Sequence, residues 1–303
     1  MSPVYSLEQM LQDTSDIAYR KEILKEIIYK ASNLKVVGTK ILPIRNLTNL
    51  DVKLQFPTER GKGAIKKYPV PENALPPFEA ITWIPYEYTL EKFVDRFIIS
   101  DEAVIRGQSA IQNQMEVRRV IDAAAKAQDA EILDTVIAGA HTGAGYFVDI
   151  AGTYEWDAAN ADPEADVVKA LGLIDTYSNV TDAELNSCNL IVHVNVRWVF
   201  KQLQLINNVQ QTLEQYLKAS HGITIMGTRD ADLLDAAYLI VPGRDTGEHG
   251  IYTGGAVPLV EETRRVGVGQ EYLIKKWFKS KVKPESKTDV YSYRIVKINN
   301  TKA

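Results

Sequence analysis

The sequence predicts an α+β fold in which a long helix and a projecting hairpin frame an inserted α/β unit. Three observations support this reading. Alternating apolar and polar stretches between residues 35 and 99 are interrupted by an excursion dense in Pro, Lys and Gly. A proline-free helical pattern then runs from about 100 to 139, and between 160 and 255 short strand patterns alternate with helical ones.

Residues 6 to about 32 read as helical. Ser6 and Gln9 have capping-box spacing, and a second start at Thr14 or Ser15 precedes IAYRKEILKEIIYKA. Ile17, Ile23, Leu24, Ile27 and Ile28 gather on one side, away from Arg20, Lys21, Glu22 and Lys25. Such a helix either packs on its own domain or serves as an arm that reaches another chain. KVVGTKILPI, LDVKLQF and ITWIPYEYTL then read as long strands. Between the last two lies TERGKGAIKKYPVPENALPPF, whose prolines 57, 69, 71, 76 and 77 forbid a helix and spoil a central strand. Strand, long tip and returning strand describe an extended hairpin. A hairpin alone is barely stable in water, so this one needs a surface to lie on.

Ser100 can cap the next element, acidic Asp101 and Glu102 suit a first turn, and Gly107 separates a short helix from the long one. Ile111, Met115, Val120, Ile121, Ala124, Ala127, Ile132, Val136 and Ile137 recur at three- and four-residue intervals opposite Arg118, Arg119, Asp122, Lys126, Asp129 and Glu131. From Gln108 to Ala138 this helix spans ~45 Å at ~1.5 Å per residue, the spine of a flat domain. Gly139, Gly143 and Gly145 end it, and an irregular stretch follows to about Asn160. Asp162-Pro163-Glu164 starts a helix to about Ser178. LIVHVNV (190–196) is a buried-strand candidate that feeds a helix carrying Trp198, Val199, Leu203, Leu205 and Ile206, with a break before LEQYLKAS. Strands follow at GITIM, AYLIVPG and IYTGGAVPLV. EYLIKKWFKSKVKP and TDVYSYRIVKI close the chain, with Pro284, Ser286 and Lys287 at the turn between them.

Composition excludes several function classes. With 303 residues, 45% apolar and 24% charged, the chain carries a folded core. A net charge of −4 supplies no electrostatic footprint for tight nucleic-acid binding. Cys188 is the sole cysteine, so an intrachain disulfide and a Cys-rich zinc site are excluded, and the chain reads as made in a reducing compartment. MSPVYSLEQMLQD lacks the marks of a signal peptide, and no apolar run has membrane-spanning length.

The search for chemistry leaves no catalytic, cofactor-binding or metal residue. His141, His193, His221 and His249 are dispersed, without the spacing of a metal pair. GKGAIKK resembles a phosphate-cradling loop in composition only, since the spacing fails. His193 reads as a satisfied core imidazole. His249, in GRDTGEHG, reads as part of a solvated polar turn, because Gly243, Gly247 and Gly250 already explain that segment as loop. Cys188 reads as a structural thiol.

The order of elements resembles the major capsid proteins of tailed phages and tailed archaeal viruses, the Hong Kong 97-type fold shared with encapsulins. The matching stretches are VKLQFPTERGKGAIKKYPVPENALPPFEAITWIP for the E-loop of that fold and FIISDEAVIRGQSAIQNQMEVRRVIDAAAKAQDAEILDTVIAGA for its spine. LIVHVNVRWVFKQL with GITIMGTRDADLLDAAYLIVPG is similar to the strand, helix and strands of its axial domain. The resemblance divides the chain into an N-terminal arm (1–34), E-loop hairpin with flanking strands (35–99), peripheral domain with the spine helix (100–159), axial domain (160–255) and return strands of the peripheral domain (256–303).

That resemblance implies a shell protein and no enzyme. Its partners would be further copies of itself, as pentamers and hexamers of an icosahedral shell, together with a separate scaffold, portal or cargo protein and packaged DNA held without sequence specificity. The arm starts close to Met1, leaving no room for a removable scaffolding region. The E-loop would drape over an adjacent subunit, with Ile65, Tyr68, Val70, Leu75 and Phe78 as apolar contacts and Arg60, Lys62, Lys66 and Lys67 setting register. Some relatives cross-link an E-loop lysine to a neighbour's asparagine; here Lys62, Lys66 and Lys67 read as solvated charges instead. The chain would reside in a virion capsid assembled in the host cytoplasm. An encapsulin enclosing a cargo enzyme, in a cytoplasmic nanocompartment, and a soluble α/β enzyme with an unrecognised site are the alternatives.

Overall fold

The computed structural model describes residues 38–57, 83–102, 109–143, 145–150, 155–156, 158, 161–178, 180–206, 209–229, 233, 235–254, 260–265, 268–284, 291–299 and 301. The helical reading of 6–32 lies outside the described residues. The rest forms two five-stranded sheets that share one long helix, plus two two-stranded ribbons.

The first sheet is organised on β13 (Gly269–Val282). Strand β4 (Glu91–Ser100) runs antiparallel along one side of it, from Gly269↔Ser100 to Phe278↔Glu91. Its other side is shared by β12 (Val260–Arg265) and β11 (Gly247–Tyr252), and β1 (Ile44–Leu47) adds parallel to β11. The ribbon β2–β3 (Asp51–Pro57 and Trp83–Thr89) lies over this sheet. The second sheet has the order β5 (Val148–Asp149), β14 (Ile295–Asn299), β10 (Ala236–Ile240), β6 (Asn189–His193), β9 (Thr224–Thr228).

Helix α1 (Ser109–Gly139) binds the two sheets together. Val117, Val120 and Ile121 pack on Phe97, Ile99, Tyr272 and Ile274 of the first sheet. About one to four turns further on, Ala125, Ile132 and Val136 pack, with Ile41 and Leu42, on Ile191, Met226, Tyr238, Ile240 and Ile295 of the second. The opposite face of the second sheet is covered by α2 (Pro163–Tyr177), α4 (Val194–Phe200) and α5 (Leu213–His221), with α3 (Asp182–Leu185) at the edge. Strand β6 is therefore buried on both faces, Leu190 and Val192 toward one core and Ile191 toward the other, which is why it reads as a continuous apolar run. Asp162 accepts from the Ala165 amide at 3.1 Å with Pro163 in the first turn, and Thr212 and Gln215 form a reciprocal capping box on α5. Gly222 closes α5 at φ 66°, where a Cβ would sit 1.7 Å from the Asn186 carbonyl oxygen.

Several expectations are corrected. KVVGTKILPI is not one strand: Gly38–Lys40 is a 3₁₀ turn and pairing starts at Ile44. The Gly38 amide donates to Asp129 Oδ1 at 2.8 Å, and the turn lets consecutive Ile41 and Leu42 enter the same core, which a strand's alternation forbids. The strand EKFVDRFIIS went unread, and Ser100 is its last residue. LIVHVNV stops at His193, whose Nδ1 accepts from the Asn195 amide and starts α4. Leu203, Leu205 and Ile206 belong to strand β7 (Leu203–Ile206), paired with β8 (Val209–Thr212), and not to a helix. The last two strands form no hairpin, since β13 lies in the first sheet and β14 in the second. Met115 is 68% exposed, while Val117 takes the core position.

The segment GRDTGEHG is also corrected. Gly247–Tyr252 is a buried strand, and His249 is fully enclosed. Its glycines serve close packing: a Cβ on Gly247 would fall 2.5 Å from the Lys281 carbonyl oxygen, and one on Gly250 2.8 Å from Tyr88 Oη. Enclosure forces His249 to find partners, and it finds them on the spine. Gln128 Nε2 donates to the Ala124 carbonyl at 3.1 Å, so its Oε1 accepts from His249 Nε2 at 3.3 Å. His249 Nδ1 then accepts from the Ser280 hydroxyl at 2.8 Å. Burial, and then the charge of Lys276, push His249 down to about 3; burial pushes Lys276 down to about 7.

Both shifts destabilise the charged form, so both set the same sign. His249 contributes stability above its ordinary value of 6.5 that is lost as pH falls toward 3. Lys276 contributes stability above 10.5 that is lost as pH falls toward 7. Thermal unfolding of the subunit is expected to move to higher temperature between pH 7 and about 9, below the range in which unfolded-chain tyrosines ionise. Lys276→Met is expected to flatten that rise. An equal slope in the variant excludes Lys276 as its origin.

Candidate assembly surface

The ribbon β2–β3 is seated on the sheet by the alternation of its residues. In β3, Trp83, Pro85, Glu87 and Thr89 face out while Ile84, Tyr86 and Tyr88 face in. The inner face, with Val52 and Leu90, packs on Tyr252 of β11 and Trp277 of β13. Phe56 meets Tyr86 edge-on at 5.0 Å between ring centroids, Tyr86 meets Tyr88 at 5.5 Å, and Tyr252 meets Trp277 at 5.7 Å. Each such pair contributes ~0.5–1.5 kcal/mol beyond its buried area. Lys283 Nζ sits 4.1 Å above the Phe56 ring.

Polar pins fix the direction of the ribbon. Tyr86 Oη donates to the Lys281 carbonyl at 2.8 Å. Tyr88 Oη donates to Glu248 Oε1 at 2.8 Å, and Arg45 Nη1 donates to both Glu248 oxygens at 2.9 and 3.2 Å. Burial first, and the nearby Glu248 carboxylate second, push both phenols well above the usual tyrosine range, so both remain donors. Glu248 thus joins β1, β3 and β11. The Arg45 guanidinium is about a third exposed, which weakens its charge contribution; the enclosed Tyr88 bond is the stronger restraint.

The ribbon's last pair is Pro57 opposite Trp83, and the Trp83 indole is half exposed. All nine predicted contact residues (Arg60, Lys62, Ile65, Lys66, Lys67, Tyr68, Val70, Leu75 and Phe78) follow that pair and lie outside the described residues. The residues that set the ribbon's base were not singled out from sequence. The signal for Tyr86 and Tyr88 was present in the alternation of ITWIPYEYTL. Arg45 and Glu248 carried none, since their partnership spans some two hundred residues of chain.

No cluster of three or more metal-ligating side chains occurs among the described residues, and no helix there is long and apolar enough to cross a membrane. A cavity of about 100 Å³ between Gly38, Ile41, Leu133, Ile191 and Met226 is mainly apolar, and its one carboxylate, Asp129, holds the Gly38 amide. Cys188 is enclosed, and burial pushes its thiol up to about 12.

The phage capsid protein family matches residues 85–294, more than half of the chain. No curated protein matches the sequence. Among solved structures, the chain is similar to the virus-like particle from Pyrococcus furiosus, at 11% identity and a TM-score of 0.58, over 92% of this chain and 98% of that one. It is similar to a phage-related protein from Bordetella bronchiseptica, at 16% identity and a TM-score of 0.58, over 91% and 96% of the two chains. The capsid of the native GTA particle aligns with a TM-score of 0.62 at 12% identity, over 90% and 91%. At such identities the structures speak for the fold, and the family match speaks for the role. A shared fold over nearly the full length, an anchored hairpin base and a family match across the spine and both sheets lead to one assignment: the chain belongs to the phage capsid protein family, a structural, non-enzymatic major capsid protein of Hong Kong 97-type fold that assembles with its own copies into the shell of a virion.

Proposed function

We propose that copies of this chain close into an icosahedral shell of pentamers and hexamers around a DNA genome, and that the E-loop, residues 52–85, drapes its tip over a neighbouring subunit. The observation that carries this reading is the pinned base of the ribbon. Tyr86, Tyr88 and Glu248 hold β2 and β3 on the subunit's own sheet up to Pro57 and Trp83, with the Trp83 side chain facing outward. A segment launched from a rigid base arrives at its neighbour with less orientational freedom to lose. Ile65, Tyr68, Val70, Leu75 and Phe78 would each contribute ~1.5–3 kcal/mol on full burial, before ordering costs are subtracted. Arg60, Lys62, Lys66 and Lys67 would set register. Repeated by symmetry, modest contacts of this kind close a shell while each step stays reversible.

The division into arm (1–34), E-loop region (35–99), peripheral domain (100–159), axial domain (160–255) and return strands (256–303) is part of this proposal, with β14 lending its pairing to the axial sheet. A separate scaffold and a portal complete the partners, and assembly takes place in the host cytoplasm. The net charge of −4 suits a container that holds DNA without gripping it.

Negative-stain microscopy of the purified protein is expected to show closed particles; a monomer or dimer at all concentrations refutes the shell. Nuclease-protected DNA in particles from infected cells is expected, and a protein cargo in its place refutes the genome reading. Deleting residues 58–78 leaves four residues between Pro57 and Trp83, enough to close the ribbon. The expected product is a folded subunit that forms no shells, and normal particles overturn the E-loop assignment. Glu248→Ala strands Tyr88 and Arg45 and is expected to cost about 1–3 kcal/mol in denaturant unfolding, against about 1 kcal/mol for Tyr88→Phe. Shell yield should fall in the same order, and an unchanged yield in both variants removes the ribbon base from the assembly mechanism.

A further inference from the structure

The described chain enters the fold at Gly38, beside a void. The cavity of about 100 Å³ is walled by Leu133 of the spine and by Ile191 and Met226 of the second sheet, with Gly38 and Ile41 of the entry turn closing it. A void of that order has room for one branched aliphatic side chain, since ~150 Å³ takes a benzene ring. Left empty, it forfeits the dispersion contacts of every residue in its wall. Beside it the spine keeps Leu133 and Ile137 only half buried, although both pack on the core of the second sheet. The Gly38 amide is pinned to Asp129 Oδ1 at 2.8 Å, so the chain that precedes Gly38 departs from the spine itself, at the cavity wall.

We propose that the apolar side of residues 17–28 seats on this cavity in its own subunit, with one of its branched side chains filling the void. Ile23, Leu24, Ile27 and Ile28 recur at the four-residue spacing by which an amphipathic helix lays anchors into an apolar groove. Reach favours the same chain. Residues 29–37 join Ile28 to Gly38 and span at most ~30 Å when extended. A tether that short holds its end at an effective concentration in the millimolar range. A neighbouring copy or a separate peptide has to bind far more tightly to displace it. The seat needs no second copy, so it stands apart from the shell assembly proposed above. It makes the N-terminal segment the cover of the joint between the spine and the second sheet.

Met226→Cys places a thiol on the cavity wall, and enclosed Cys188 is shielded from reagents. In the full chain, maleimide is expected to label position 226 slowly and at a rate independent of protein concentration. Adding Leu24→Asp and Ile28→Asp is expected to raise that rate at least about tenfold, with cooperative melting of the subunit retained. An equal rate with and without the two aspartates overturns the inference. Protection that grows as the protein is concentrated also overturns it, since that is the mark of a neighbouring copy. Thr228→Cys, on the same cavity, repeats the measurement where Met226→Cys fails to fold. Cross-linking gives an independent reading. Thr228→Cys combined in turn with Leu24→Cys, Ile27→Cys or Ile28→Cys is expected to yield, with a short bismaleimide, an internally linked single chain. Linked dimers on a denaturing gel, or no link with any of the three, overturn the seat and leave the shell standing. Absence of particles from the unmodified protein overturns the shell and leaves the seat standing.

Discussion

One helix has to satisfy two sheets at once, and the rest of the subunit is arranged around that demand. The N-terminal half of α1 buries Val117, Val120 and Ile121 on the first sheet, and its C-terminal half buries Ile132 and Val136 on the second. Neither sheet could keep its inner face dry without it, and no other described helix touches both. Small residues make the approach close enough. A Cβ on Gly38 would stand 2.9 Å from Ile132, and one on Gly139 would stand 2.8 Å from Val282. The helix also carries a buried polar contact to the first sheet, the chain from Gln128 through His249 to Ser280. A buried network of this kind is unforgiving of displacement, because a shift that breaks one bond strands the others. That suits a part which must present the same shape in every copy of a shell.

The ribbon base extends the same logic outward. Glu248 and His249 are neighbours on β11, and alternation sends them to opposite faces: the histidine to the spine, the carboxylate to Tyr88 and Arg45 under the ribbon. A single strand thus ties the spine on one side of the sheet to the hairpin on the other. Gly250 lets Tyr88 of the ribbon come close to it, and Gly247 lets the Lys281 carbonyl of β13 do so. The result is a body in which the ribbon β2–β3 and the spine helix are held on opposite faces of one sheet.

Where local signals are strong, sequence and structure agree closely. The spine helix runs 109–139 against an expected 108–138, and α2 begins at Pro163 behind Asp162 as its cap implies. Strands β2 and β3 fall where alternation puts them. Disagreement is concentrated where one residue type has two physical uses. Glycine permits a turn, and it also permits close approach of buried backbones; Gly247 and Gly250 are of the second kind, and the loop reading of that segment took His249 and Glu248 with it. Histidine at 193 sits in an apolar run that reads as strand, yet its side chain caps a helix.

The amino-acid order by itself determined the lengths and types of the main elements, the neutral and acidic balance, the lack of a recognisable catalytic pattern and the succession that resembles a capsid subunit. These are matters of period, composition and capping, and they act over a few residues. Tertiary structure alone decided which sheet each strand joins, which face of β11 meets which layer, and that Arg45, Tyr88 and Glu248 share one site. Those choices come from packing between residues far apart in the chain, where the free energy belongs to the contact and to neither partner alone.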